Sequence, residues 1–474
     1  NRMRIDGTDF VESFIQMQKA VHFVREERKP LLVCAKTVLI GHHTSGVRRE
    51  FYRDEADLAK HRAKDPGIIL KKYLLEEGFS EETLSQIETE ARKQIEEDFN
   101  KAILAPDPKP ETVKEHVYAP TPITEEKGTR IPENGEKIPM VDAGIHAIQE
   151  LMHKHPEALL YGQDVGGRIG GVFREVVTLQ QKFGNKRVFN TAIQEAYIIG
   201  STVGMSAVGL KPIVEVQFAD YIYPGINQLV TEVSKSCYLS NGKYPVSSII
   251  RVPIGAYGGG GPYHSGSVET MLAQIKGIKI AYPSNAADFK GLFKAAFYDP
   301  NPVIFLEHKG LYWSKVPGTE DAKTVEPAED YILPFGKANI VKFANEEEVQ
   351  KGRTLVVVTY GMGVYWAKEA AKNFEERIEI IDLRTIKPID EELVFERVKI
   401  HGKCILLTEE ALNNSMMEAF GARISKNCFK HLDAAVEIMG SLDLPAVPIN
   451  LILEKEMLPN AEKLSLRINE LLQN

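Results

Sequence analysis

The chain is predicted to be an α/β protein built on a doubly wound parallel sheet. Three observations predict it. From residue 140 onward, short apolar runs alternate with helix-like segments, the rhythm of βαβ units. One early run, PLLVCAKTVLI (30–40), is apolar on both faces, as a strand covered by helices on each side would be. A carboxylate (Glu195), a phenol (Tyr221) and a histidine (His264) fall just past three successive strand-like runs, at the lip where open α/β sheets bind ligands.

The composition is that of a soluble globular protein: 474 residues, 43% hydrophobic and 26% charged, a length that suggests about three domains. A formal net charge of -8 leaves no basic footprint, which argues against nucleic acid and anionic membrane surfaces as partners. No apolar run approaches the roughly 18 residues of a membrane helix. Cys34, Cys237, Cys404 and Cys428 lie far apart without CxxC spacing. They read as four small buried hydrophobes in a reducing cytoplasm.

Phe10, Phe14, Met17, Val21 and Val24 recur at helical spacing behind an Asp9 cap. The run at 30–40 follows and stops at GHHTSG (41–46), which sets two histidines beyond a strand end. Residues 51–105 read as charged, solvated helices. Seven prolines between Pro106 and Pro139 mark a semi-extended linker. Beyond it, Val141, Ile145, Ile148 and Met152 form a helix stripe. The strand and helix signals then alternate: ALLYG, RVFNTA, a helix from Glu195, PIVEVQF, a helix through Val233, SSIIRVPIG, KIAYP, a helix over 284–297 and VIFLE. After a polar stretch (310–335), RTLVVVTYG, RIEIIDLR, KCILLTEEA and VEIMG make a smaller α/β unit.

Glu195 lies at a strand-to-helix corner beside Ile193, Ala196, Ile198 and Ile199, where desolvation should raise its pKa and suit it to proton exchange. On position alone, a first-turn carboxylate serving the helix dipole is the commoner role. His264 follows Gly258–Gly261, Pro262 and Tyr263 on a loop whose backbone can approach a ligand closely; a surface histidine is the plainer alternative. The glycine run lacks GxxxxGK[ST] and is a weak phosphate signal. Gln217 and Tyr221, four apart, could both face one heteroaromatic ring.

The motifs VFNTAIQEA, EVQFADYIYP, GPYHSGS, KGIKIAYPSNAADFKGL and EIIDLRTIKPID resemble the β subunit of the thiamine-diphosphate-dependent 2-oxoacid dehydrogenases, their E1 component, from about Met140 to the C-terminus. RIDGTD, GHHTSG, YRDEADL and KDPG resemble, in order, the carboxyl-terminal part of the α subunit. The resemblance implies a transketolase-like fold. Residues 1–120 would be the α-like part, 121–139 a linker, 140–335 a pyrimidine-binding domain and 336–474 a transketolase C-terminal-like domain.

It further implies that Glu195 bonds the aminopyrimidine of thiamine diphosphate, that Tyr221, Gln217 and Ile193 line the pyrimidine pocket, and that His264 and His43 act near the reacting centre. The implied reaction is oxidative decarboxylation of a small 2-oxo acid, with acyl transfer to the lipoyl group of an E2 dihydrolipoyl acyltransferase. A possible potassium ion (K+) would lie near Ser248, Ile249, Ala296, Asp299 and Asn301. The family binds magnesium (Mg2+) through a GDG motif in the earlier part of the α subunit, and no GDG occurs here. The chain is therefore expected to continue upstream in its full gene product, to be inactive alone, and to pair as a homodimer of fused chains. GHHTSG, GGVFR and QFADY resemble branched-chain forms more than pyruvate forms. A pyruvate dehydrogenase, a transketolase-like carboligase and a catalytically silent E2-docking module are the alternatives.

Overall fold

The computed structural model describes residues 1–257, 259–374 and 376–473; Gly258, at the head of the expected glycine run, lies outside them. The chain divides into two compact units, Asn1–Lys109 and Pro110–Asn474.

In the first unit β1 (Arg2–Asp6) and β2 (Leu32–Lys36) pair in parallel, with Arg2 opposite Leu32. The helix between them, Phe10–Glu27, begins where the Asp9 side chain accepts a hydrogen bond from the Glu12 amide at 2.8 Å, which satisfies one of the unpaired donors of the first turn. Two expectations change here. The strand at 30–40 shortens to β2 and is mostly exposed, because a two-stranded sheet has no interior strand to cover. The stripe Phe10, Phe14, Met17, Val21 and Val24 is also exposed, between 42% and 57%, and Ala20 is the buried residue of that helix. Residues 51–105 resolve into the helices Glu55–Ala63, Pro66–Glu76 and Glu81–Leu104, each started by a capping side chain: Asp54, Asp65 and Ser80. Cys34 shares the exposure of β2, while Cys237, Cys404 and Cys428 are buried, so the expectation of four buried cysteines holds for three.

In the second unit a short ribbon pairs β3 (Lys137–Ile138) with β10 (Thr324–Val325) in antiparallel fashion. The large sheet has seven strands: β4 (Ala158–Gly162), β5 (Val188–Asn190), β6 (Lys211–Glu215), β7 (Ile249–Ile254), β8 (Lys279–Ala281), β9 (Val303–His308) and β14 (Thr385–Lys387). Their order is β14-β8-β9-β7-β6-β4-β5. The central strands β7 and β9 are buried along their whole length, consistent with helices on both faces. A second sheet of five strands orders β11 (Asn339–Lys342), β13 (Ile378–Asp382), β12 (Leu355–Thr359), β15 (Cys404–Ala411) and β16 (Glu437–Ser441) as β11-β13-β12-β15-β16. Each sheet carries one antiparallel edge strand, β14 and β11, where all-parallel sheets were expected. One apolar core runs through both sheets, from Ile250 and Ile304 to Val356 and Leu406.

The helix expected through Val233 is broken. Residues 219–233 instead form tight turns (Ala219–Tyr221, Tyr223–Gly225), a single helical turn (Ile226–Gln228) and a wide turn (Leu229–Val233). Pro224 lacks the amide a continuous helix needs. From Pro110 on, the proline-rich stretch expected as a linker belongs to the second unit and packs within it. Tyr118 donates to the Ile278 carbonyl at 3.1 Å, Asn301 holds both the amide and the carbonyl of Ala119, and Arg130 pairs with Asp288 at 2.7 Å. Among the described residues no helix is long and apolar enough to cross a membrane.

Candidate active site at the carboxyl ends of the large sheet

Glu195 opens the helix Glu195–Ala207, reached from the end of β5 by a short loop. It is 8% exposed, and its Oε1 accepts a hydrogen bond from Gln163 Nε2 at 2.8 Å. Gln163 is the residue just past β4, which lies between β5 and β6 in the sheet. Strand order therefore delivers an amide donor to the carboxylate from a segment 32 residues away. The first-turn position is real, but burial and this bond give Glu195 a fixed direction that an ordinary dipole-facing carboxylate lacks. The turn at Tyr223–Gly225 presses on the same helical turn. A Cβ at Gly225 would sit 2.5 Å from Ile199 Cδ1 and 3.0 Å from the Glu195 carbonyl, so any side chain there would force Ile199 to shift.

Past β6 and β7 the chain brings Tyr221 and His264 together. The Tyr221 hydroxyl and His264 Nε2 share a hydrogen bond of 2.9 Å. Phe218 meets both rings edge-on, with centroids 5.3 Å from Tyr221 and 4.6 Å from His264. Gln217 Nε2 donates to Asp164 at 2.9 Å. Ile193 is 83% exposed, an apolar surface at the rim. His43 lies exposed in the first unit. Gln163 and Lys309 carried no motif signal and join the cluster through long-range contacts; Phe218 lies inside EVQFADYIYP but was not singled out there.

Beneath this lip lies a buried charge network. Arg251 on β7 donates from Nε to Glu307 at 2.7 Å and from Nη1 to Glu215 at 2.9 Å, and the Tyr312 hydroxyl donates to Glu307 at 2.7 Å. Burial, then the neighbouring Glu175 carboxyl, hold Glu215 well above the usual carboxylate range against the pull of Arg251.

The buried acid, the aromatic wall and the open rim fit the pyrimidine end of thiamine diphosphate. Among the described residues no three His, Cys, Asp or Glu side chains converge as a metal site. At the expected potassium site, the Asp299 carboxylate is paired with Lys279 at 2.5 Å and the Asn301 amide is spent on Ala119 and Asp299. Of these side chains only Ser248 Oγ is buried without a partner. Ile249 and Ala296 offer apolar side chains on β7 and on the helix Ala286–Tyr298. These side chains answer one another's charges.

Comparisons with known proteins agree with this fold. The family described as transketolase, pyrimidine binding domain, matches residues 136–314; transketolase, C-terminal domain, matches 345–464; and dehydrogenase E1 component matches 2–111. A solved structure titled split gene transketolase, inactive beta4 tetramer, superposes with a TM-score of 0.53 at 18% identity, covering 71% of this chain and 99% of that one. The fold is thus transketolase-like. The 2-oxoisovalerate dehydrogenase subunit beta of Bacillus subtilis is 37% identical over 334 residues, 70% of this chain and 97% of the relative. Its namesake from Pseudomonas aeruginosa is 38% identical, covering 65% of this chain and 87% of the relative. The pyruvate dehydrogenase E1 component subunit beta of Acholeplasma laidlawii is also 38% identical, covering 63% and 87%. The chain belongs to the thiamine-diphosphate-dependent 2-oxoacid dehydrogenase E1 family, with an E1-type segment ahead of a β-subunit region.

Proposed function

We propose that this protein works as the E1 component of a cytoplasmic 2-oxoacid dehydrogenase complex. It decarboxylates a branched-chain substrate, 3-methyl-2-oxobutanoate, and passes the acyl group to the lipoyl arm of an E2 acyltransferase. The observation that carries the reading is the buried Glu195 carboxylate, aimed by Gln163 at the lip of the sheet. Thiamine diphosphate, when bound, supplies the electron sink for loss of carbon dioxide. Glu195 would hold a proton at its carboxyl for the pyrimidine ring. Phe218 and Tyr221 offer the aromatic surface that excludes water beside it. His264 holds or moves a proton at Nε2, where the Tyr221 hydroxyl now meets it. His43 belongs to the set on the strength of its GHH motif.

Relatives named for 2-oxoisovalerate in Bacillus, Pseudomonas and Dictyostelium support the branched-chain substrate. Pyruvate is the second reading, favoured by the relatives from Acholeplasma laidlawii and Mycoplasma pneumoniae. The domain limits 140–335 and 336–474, and a homodimer of such chains, belong to the same proposal.

The test offers both acids, with thiamine diphosphate, magnesium and an artificial electron acceptor, to the chain alone and mixed with a polypeptide bearing a GDG-containing diphosphate-binding domain. Activity is expected in the mixture, falling by about 100-fold or more in Glu195→Gln. Undiminished turnover by that variant removes Glu195 from the mechanism. Faster turnover of pyruvate moves the substrate to the second reading. Absence of cofactor binding in the mixture leaves an assembly module that docks the acyltransferase.

A further inference from the structure

The loop that carries His264 is held along its backbone by three charged side chains from three separate elements. The Ala256 amide donates to Glu409 Oε1 at 2.5 Å, the Gly266 amide donates to Asp220 Oδ2 at 2.9 Å, and Lys309 Nζ donates to the His264 carbonyl oxygen at 2.6 Å. Between the outer two points, the turn Gly261–Tyr263 delivers the histidine to Phe218 and Tyr221.

Lys309 differs from the other two. It is 4% exposed, and among the described residues it forms no ion pair within 4.0 Å. Its one hydrogen bond there goes to His264, and its Nζ lies 5.4 Å from the Phe218 ring centroid. Burial pushes its pKa down to about 8, against the upward pull of Glu409 from β15 and Asp220 from the turn after β6. His308, its neighbour in the chain, is turned away onto Glu409 at 2.8 Å. An ammonium buried without a paired carboxylate is costly, and an apolar side chain of the same length would fill the space without that cost. Its placement makes sense through what it grips.

The geometry points to Lys309 as a positioning residue for His264. Its ammonium fixes the histidine carbonyl and the face of Phe218 at once, and so sets the orientation in which Nε2 meets the Tyr221 hydroxyl. The inference rests on the proposed role of His264 and adds the side chain through which that role is held in place.

The experiment compares Lys309→Met, which keeps the stem and removes the charge, with Lys309→Arg, which keeps the charge, in the full chain. Two quantities are read: amide hydrogen exchange over residues 261–266, and the NMR chemical shifts of the His264 imidazole, assigned with His264→Gln. Lys309→Met is expected to speed exchange in that loop by about tenfold, the scale of one lost charge-assisted hydrogen bond. It should also move the imidazole resonances, because the ring is no longer held in one orientation against Phe218 and Tyr221. Lys309→Arg should restore both. If Lys309→Met does not fold, Lys309→Gln is read in its place. Unchanged exchange in a folded charge-removing variant overturns the inference. So does an arginine variant that behaves like the methionine one, since bulk rather than charge would then set the loop. Neither readout needs turnover, so loss of the E1 reading through Glu195→Gln leaves this result standing, and failure here leaves Glu195 in place.

Discussion

Glu195 shows how far a local pattern reaches and where it stops. Its corner position and apolar neighbours are visible in the sequence, as are the motifs around Tyr221 and His264. Gln163 is not, because nothing in GQDVGG marks a glutamine that meets a carboxylate 32 residues away, and only the strand order puts β4 beside β5. Lys309 was hidden for the same reason, its partner lying 45 residues away. Gln217 was legible as a polar residue at the lip but not as the partner of Asp164. The Gln163 bond makes a direct prediction. Gln163→Leu leaves a buried carboxylate oxygen without its donor, which should cost about 1–3 kcal/mol. Urea unfolding of the variant at neutral pH measures it, and a change within error would show that solvent already serves that oxygen.

Among the elements, the longer strands and helices followed from periodicity, whereas short strands and burial did not. The antiparallel edges β11 and β14 were missed altogether, because stretches of four and three residues are too short to show a period of two. The helix Phe10–Glu27 has the expected apolar stripe, yet burial depends on what packs against a face, and that is not written in the helix itself. A helix was expected through Val233, and the pair Pro224–Gly225 was the overlooked breaker. Gly225 matters beyond the break. Gly225→Ala drives a methyl group into Ile199 and the Glu195 carbonyl, which should destabilise the protein by about 1–3 kcal/mol and tilt the first turn that aims Glu195. Thermal unfolding gives the first effect. Weaker binding of thiamine diphosphate by the variant, in the mixture with the diphosphate-binding partner, gives the second.

Across the whole second unit, buried charges tie segments that are distant in the chain. Arg251 joins β6, β7 and β9 through Glu215 and Glu307. Arg251→Met would strand these carboxylates in the core and should cost about 3–5 kcal/mol, read as a lowered denaturation midpoint; a smaller loss than 1 kcal/mol would mean the network relaxes by taking up protons. Asp288 is gripped by Arg130 from the proline-rich stretch at 2.7 Å and by Arg384, just before β14, at 2.9 Å. The proline composition correctly marked irregular chain between regular regions, but it carried no sign of these anchors, because ion pairs of this kind have no sequence period.

The strand β14 has a practical consequence. It belongs to the stretch after residue 335 and yet closes the margin of the large sheet against β8. A polypeptide trimmed at 335 would leave the amides and carbonyls along that side of β8 bare, ready to zip onto any extended strand it met, including its own twin. Recombinant pieces cut at the apparent domain border should therefore clump, and swapping this module between proteins would require taking the later ribbon along with it.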